Sequence, residues 1–180
     1  MKTVLGSRRH HYLMKLSVFL IMAALLAAMA GCPGGYNPPP SQNLEIGTWY
    51  DLDAVRDNLA GNHTLMNNLD STTAGYEELA GPPANEGKGW QPIGIWPDPF
   101  TGSFDGQGFE IRDLFIDRPV EDHVGLFSFV ETGAVIMDVA LIDADVTGQT
   151  YVGALVGHIH DGSLSNCHST GNVAGDTEVG

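Results

Sequence analysis

The chain has 180 residues, enough for one domain and a small appendage. Lys and Arg total 8 against 22 Asp and Glu; every acid follows Cys32, so the part beyond it carries four bases and 22 acids, a net of −18. Such a surface repels nucleic acid and anionic lipid, which excludes a nucleic-acid partner and leaves extracellular solubility, or attraction of cations, as the role of the charge.

Leu16 to Ala28 reads LSVFLIMAALLAA, an uncharged apolar run. It is shorter than the roughly twenty residues a membrane-spanning helix needs. Basic residues precede it and small ones follow, the order of a cleaved secretory signal over 1–31. Met14-Lys15 opens a compact signal by itself, so Met1 and Met14 are both candidate starts. Ser7-Arg8-Arg9 loosely resembles a twin-arginine signal, but His10-His11-Tyr12 breaks the usual spacing. The run ends on Met29-Ala30-Gly31-Cys32, which resembles a bacterial lipobox with Met29 where Leu is preferred. That resemblance implies a diacylglyceryl group on the Cys32 thiol and cleavage that leaves Cys32 at the N-terminus. Each buried acyl CH₂ contributes about 0.8 kcal/mol to anchoring. The expected location is the bacterial cell envelope or surface, lipid-anchored; plain secretion is the alternative. With Cys32 lipidated, Cys167 is the remaining thiol, so no intrachain disulfide is expected and Cys167 reads as a small packed side chain.

Residues 32–43 are assigned to lipid attachment and a tether, because Pro33 to Asn43 (PGGYNPPPSQN) is stiff and lacks hydrophobic periodicity. Residues 44–99 are assigned to an N-terminal cap region. A short helix is expected near 51–60: Asp51 serves as N-cap, Leu52, Val55 and Leu59 share a face, and Gly61 is the stop. It would shield the first coil of a repeat array. A strand is expected over His63 to Leu69 and a polar loop over Ser71 to Lys88, with ordered structure resuming at Trp90 to Gly94.

From 100 to 180 the sequence repeats. Val124-Gly125, Val152-Gly153 and Val179-Gly180 recur at a spacing of about 27–28. The same spacing, about 27–28, aligns Ile136-Met137-Asp138 with Leu164-Ser165-Asn166, and Asp145 to Gly148 with Asn172 to Gly175. Ile111-Arg112-Asp113 fits the same apolar-x-Asp pattern, somewhat less than one period before Ile136. A fixed period of this size signals a repeat architecture. The segments are short, β-branched and bounded by Gly, Asp or Asn, which selects strands. The expected fold is all-β: a right-handed parallel β-helix (β-solenoid) with a coil period of about 27–28 residues. Ile111, Ile136 and Leu164 would form one apolar column, and the glycines would occupy corners needing positive φ or close backbone approach.

Phe100 to Gly108 (FTGSFDGQG) resembles the opening segment of bacterial GLUG-motif proteins. Val152-Gly153-Ala154-Leu155-Val156-Gly157 and Ser169 to Val173 resemble the motif itself, and Asp53 to Gly94 resembles what usually precedes it. The resemblance covers about residues 50–180. It implies a right-handed parallel β-helix on large secreted or surface-attached proteins, often adhesin-like and sometimes joined to peptidases, with Gly125, Gly153, Gly157 and Gly180 as structural motif positions. It implies no catalytic residues. Val179-Gly180 opens a third copy and then ends, so the chain is expected to be a truncated fragment or the N-terminal piece of a longer protein.

Two constellations are candidate sites. His158, His160 and Asp161 with Cys167 and His168 carry Zn²⁺ or Cu²⁺ ligand chemistry, although their spacing is looser than a closed zinc site and a solvated turn is preferred. Asp113, Asp138 and Asn166 would form a column if coils stack in phase. The carboxylates there would accept backbone N–H bonds or share Ca²⁺, the first being preferred, and no other cofactor is expected. Asp105-Gly106-Gln107-Gly108 reads as a turn. No Ser/His/Asp order, phosphate loop or HExxH is present. The expectation is a non-catalytic cell-surface lipoprotein presenting a β-helix for adhesion or envelope binding, its partner an extracellular protein or glycan. Two alternatives stay open: the leader of a larger secreted enzyme (a peptidase or a polysaccharide-acting β-helix), or a passive spacer.

Overall fold

A computed structural model of the chain describes residues 43–180. The signal over 1–31, the lipid site Cys32 and the tether up to residue 42 lie outside the described residues. No helix among the described residues is long and apolar enough to cross a membrane.

β1 (Leu44–Ile46) leads into α1 (Trp49–Asp53), which tightens into a 3₁₀ turn over Ala54–Asp57. The helix expected at 51–60 therefore starts earlier and stops sooner. Thr48, not Asp51, is its N-cap. The Thr48 hydroxyl accepts from the Asp51 N–H at 3.2 Å and donates to the Asp51 carboxylate at 2.7 Å, and that carboxylate also accepts from the Gly47 N–H. The Thr48 side chain thus satisfies one donor that the first turn leaves open, the Asp51 N–H, and the Asp51 carboxylate holds the chain entering the helix. The expected strand shrinks to β2 (Asn62–Leu65), with Leu69 in a single bridge to Ile111. The expected loop contains a π-helical turn, Tyr76–Ala80, and a tight turn at Ala84–Gly87 where Asn85 and Glu86 are left-handed.

The remainder is strand: β3 (Ser103–Asp105), β4 (Glu110–Arg112), β5 (Phe115–Asp117), β6 (Phe127–Val130), β7 (Val135–Met137), β8 (Ala140–Thr147), β9 (Thr150–Val152), β10 (Val156–Ile159), β11 (Ser163–Ser165), β12 (His168–Ala174) and β13 (Thr177–Val179). Between β3 and β4, the expected turn has Gln107 and Gly108 both at positive φ, closed by the Phe109 N–H donating to the Gly106 carbonyl. Four sheets form, in the orders β1-β2-β3-β7-β11, β12-β8-β4 (β5 also on β8), β10-β6 and β13-β9, and every strand ladder is parallel.

Each later strand thus lies on the strand one repeat earlier. Thr150 faces Thr177, Val135 faces Ser163 and Phe127 faces Val156, a spacing of about 27–29 along the chain. Earlier pairings are more widely spaced, as Glu110 faces Ala140 and Ser103 faces Val135. Because sheet neighbours are in register, like positions stack into apolar rows. Phe104, Ile136 and Leu164 form one row, Leu69, Ile111 and Leu141 another, and Ile116, Val146 and Val173 a third. The single column expected for Ile111, Ile136 and Leu164 is therefore two columns. The reason is spacing: Ile111 and Ile136 stand less than one repeat apart, and the apolar-x-Asp pattern marks two different corners.

The N-terminal segment packs through aromatics. Trp49 lies 5.8 Å from both Tyr76 and Trp90, and Arg56 sits 5.1 Å over the Trp90 ring. Their polar tips are satisfied: the indole N–H groups donate to the Asp70 and Leu126 carbonyls and the Tyr76 hydroxyl to the Asp113 carbonyl.

Candidate functional site

The corners determine what the repeat shows to solvent. The residue before each Val-Gly pair, His123, Tyr151 and Glu178, is left-handed at φ 58°, 56° and 55°. The pairings Val124–Val152 and Val152–Val179 put the three at one station in successive repeats. A left-handed Tyr is uncommon and costs on the order of 1–3 kcal/mol, so packing around it must hold it there. The Val-Gly glycines explain how. They have no positive φ. A Cβ on Gly157 would stand 2.5 Å from the His123 carbonyl carbon and 2.7 Å from the Val124 nitrogen, and one on Gly153 would stand 2.3 Å from the Val156 carbonyl oxygen. Gly125 is similarly close to Gly153, whereas Gly180 has open space. Gly125, Gly153 and Gly157 are thus required for close approach, one of the two roles expected for the motif glycines.

That close approach brings rings together. His123 and Tyr151 stack with centroids 5.0 Å apart and planes 2° apart. On the adjoining strands β6 and β10, Phe129 and His158 are in register and stack at 4.6 Å. The two stacks meet edge to face, His158 lying 5.5 Å from His123 and 5.1 Å from Tyr151. Trp96 extends the second stack, 5.7 Å from Phe129, and is 65% exposed. The four inner rings are half-buried. Burial, reinforced by the nearby His158, holds the His123 imidazole below its ordinary value against the pull of Asp122.

Carboxylates border the rings. Asp122 adjoins His123 and Glu178 follows Tyr151 at the same station, while Glu131 contacts the ring of His160, outside the cluster, at 3.4 Å. Cations are engaged elsewhere: Arg56 with Asp53, Arg112 with Glu110, and Lys88 and the nearly buried Arg118 with Glu121. Burial would raise the Glu121 carboxyl, but hydrogen bonds and charge from Lys88 and Arg118 outweigh it and hold it below its ordinary value. Beside the rings an open groove of about 490 Å³ runs over Tyr151, Val156, His158, Ile159 and Glu178.

The residues singled out from sequence separate. His158 joins the ring cluster and His160 pairs with Glu131. Asp161 is an exposed left-handed residue, His168 is exposed in β12, and the free Cys167 thiol donates to the Ser165 carbonyl at 3.2 Å. Among the described residues no three His, Cys, Asp or Glu side chains converge as a metal site. Asn166 donates its amide to the Asp138 carboxylate in the adjacent repeat. Asp113 stands apart from them. It follows the row of Ile111 and Leu141, and its carboxylate accepts from the Ser71 N–H at 3.2 Å. Trp96, His123, Phe129 and Tyr151 were not singled out. The signal for two of them was their place before Val-Gly.

The chain carries the GLUG motif at residues 148–174. It is similar to halomucin of Haloquadratum walsbyi, 39% identical over 80% of the chain and 2% of the relative. It is also similar to a protein of Evansella cellulosilytica described as a Gly-rich membrane protein, 32% identical over 63% of the chain and 13% of the relative. The chain thus spans a small part of each. No solved structure matches it.

Proposed function

We propose that this chain is a non-catalytic, surface-presented binding module, built as a right-handed parallel β-solenoid and held at the bacterial envelope by lipid on Cys32. The observation that carries this reading is the recurrence of parallel strand pairs, at a spacing of about 27–29, over the segment that matches the GLUG motif. Parallel strands in stacked rows bury apolar side chains only between neighbouring coils, which is how solenoids hold together. Parallel connections are right-handed in the great majority of cases. α1, directly after the edge strand β1, has the position of a cap over the first coil. The relatives' names, halomucin and a membrane protein, agree with a surface setting. The acidic body suits exposure to an extracellular medium.

Fatty-acid labelling in producing cells tests the anchor. The parent chain should take up label and sediment with membranes, and Cys32→Ala should lose both. An unlabelled parent chain, or equal partitioning of the two, defeats the anchored reading.

A further inference from the structure

We infer that the folded state of this chain is gated by ionic strength: it is complete in saline and loosens as salt is withdrawn, through a diffuse counter-ion atmosphere rather than a chelated cation. This conformational device goes beyond the binding-module reading and rests neither on it nor on the anchor. Failed lipid labelling leaves it standing, and its own failure leaves the anchor standing.

The first observation is the shortage of countercharge. All 22 acids lie among the described residues, with four bases, Arg56, Lys88, Arg112 and Arg118. Those bases engage few of the acids. Arg56 meets Asp53, Arg112 meets Glu110 and, at 3.8 Å, Asp143, while Lys88 and Arg118 converge on the same Glu121. Beyond Arg118 the sequence has nine acids and no Lys or Arg. Histidine is the other basic type there, and it is largely neutral at about pH 8.

The second is that the fold gathers the charge. Paired strands lie about 4.8 Å apart, so acids far apart in the chain become neighbours. Asp145 of β8 faces Phe115 of β5, two residues before Asp117, which sets two exposed carboxylates diagonally on one face. Asp113 and Glu77, distant in sequence, both bear on Tyr76: burial first, then their negative charges, raise its phenol above the ordinary value.

Self-repulsion of this kind weighs more on the compact state than on the unfolded chain. Its range is the Debye length, about 30 Å at 0.01 M salt and about 10 Å at 0.1 M. Salt also weakens ion pairs, which acts in the opposite direction. The pairs here are few, and apart from the nearly buried Arg118 their side chains are substantially exposed, so they yield little. Screening therefore stabilises the fold on balance.

Urea unfolding of the full chain in non-ionic detergent tests this at about pH 8, in about 0.01 and about 0.3 M NaCl. The midpoint should rise with salt by about 0.5 M urea or more. Choline chloride should match NaCl, because screening is indifferent to the size of the cation. About 1 mM CaCl₂ at constant ionic strength should add nothing. A triple variant, Asp145→Asn, Asp176→Asn and Glu178→Gln, removes three exposed acids outside the ion pairs. It should raise the midpoint in low salt and narrow the rise. A midpoint that is flat or falls with salt, a rise unchanged in the folded triple variant, or a shift specific to Ca²⁺ or Na⁺ overturns the proposal.

Discussion

His63 shows how one residue can set the pH response of the domain. It is 1% exposed, stacked in register between Leu44 and Phe104, where an apolar side chain would be expected. Its Nε2 donates to the Asn58 carbonyl at 2.9 Å, while Nδ1 is buried without a hydrogen-bond partner. Protonation would add a buried N–H with nothing to receive it. Burial accordingly holds the folded imidazole below its ordinary value, against a smaller opposing effect of the Asn58 bond. The unfolded chain takes up the proton first, near pH 6.5. Stability is therefore full above that value, declines as pH falls below it, and levels once the folded ring protonates. His123, also depressed, adds the same sign. Urea unfolding at about pH 7.5 and about pH 5.5 should show a loss for the parent chain that is smaller in His63→Leu. An unchanged loss in the variant assigns the effect to other groups. None of this was legible in the sequence, where Asn62-His63-Thr64 looks like any polar strand.

At the scale of elements, the start of β10 depends on Gly157, its second residue. Its missing side chain lets the backbone of one repeat touch His123 and Val124 of the preceding one. Gly157→Ala should cost about 2 kcal/mol or more, since backbone rather than a movable side chain stands in the way. Gly133→Ala is the useful contrast: nothing lies within 4 Å there and only its positive φ resists substitution. Urea midpoints should order the parent chain, Gly133→Ala and Gly157→Ala from most to least stable. The spacing of Val-Gly pairs made these corners legible, together with the strand character and near-constant period. It could not separate two corners that share an apolar-x-Asp pattern, so Asp113 and Ile111 fell into the wrong column. Nor could it expose the ring cluster. Trp96, Phe129 and His158 lie on different repeats, and His123, Tyr151 and Glu178 share a station but no chemistry.

For the whole described region, the ladders join each strand only to those beside it in its sheet. Rows such as Phe104, Ile136 and Leu164 pass from fully buried to 44% exposed along the axis. Order should follow the same gradient, because each repeat is stabilised by those beside it. Amide hydrogen exchange should be slowest in β3, β7 and β8 and fastest in β11, β12 and β13; uniform protection would mean one cooperative block. The corner stations have a different consequence. One backbone position carries an imidazole, a phenol and a carboxylate in turn, all with the same left-handed φ and each followed by Val-Gly. Frame and display are thus written in separate letters. Mutation can change what the surface displays, one station at a time, while the inward rows and the packed glycines go on specifying the same backbone.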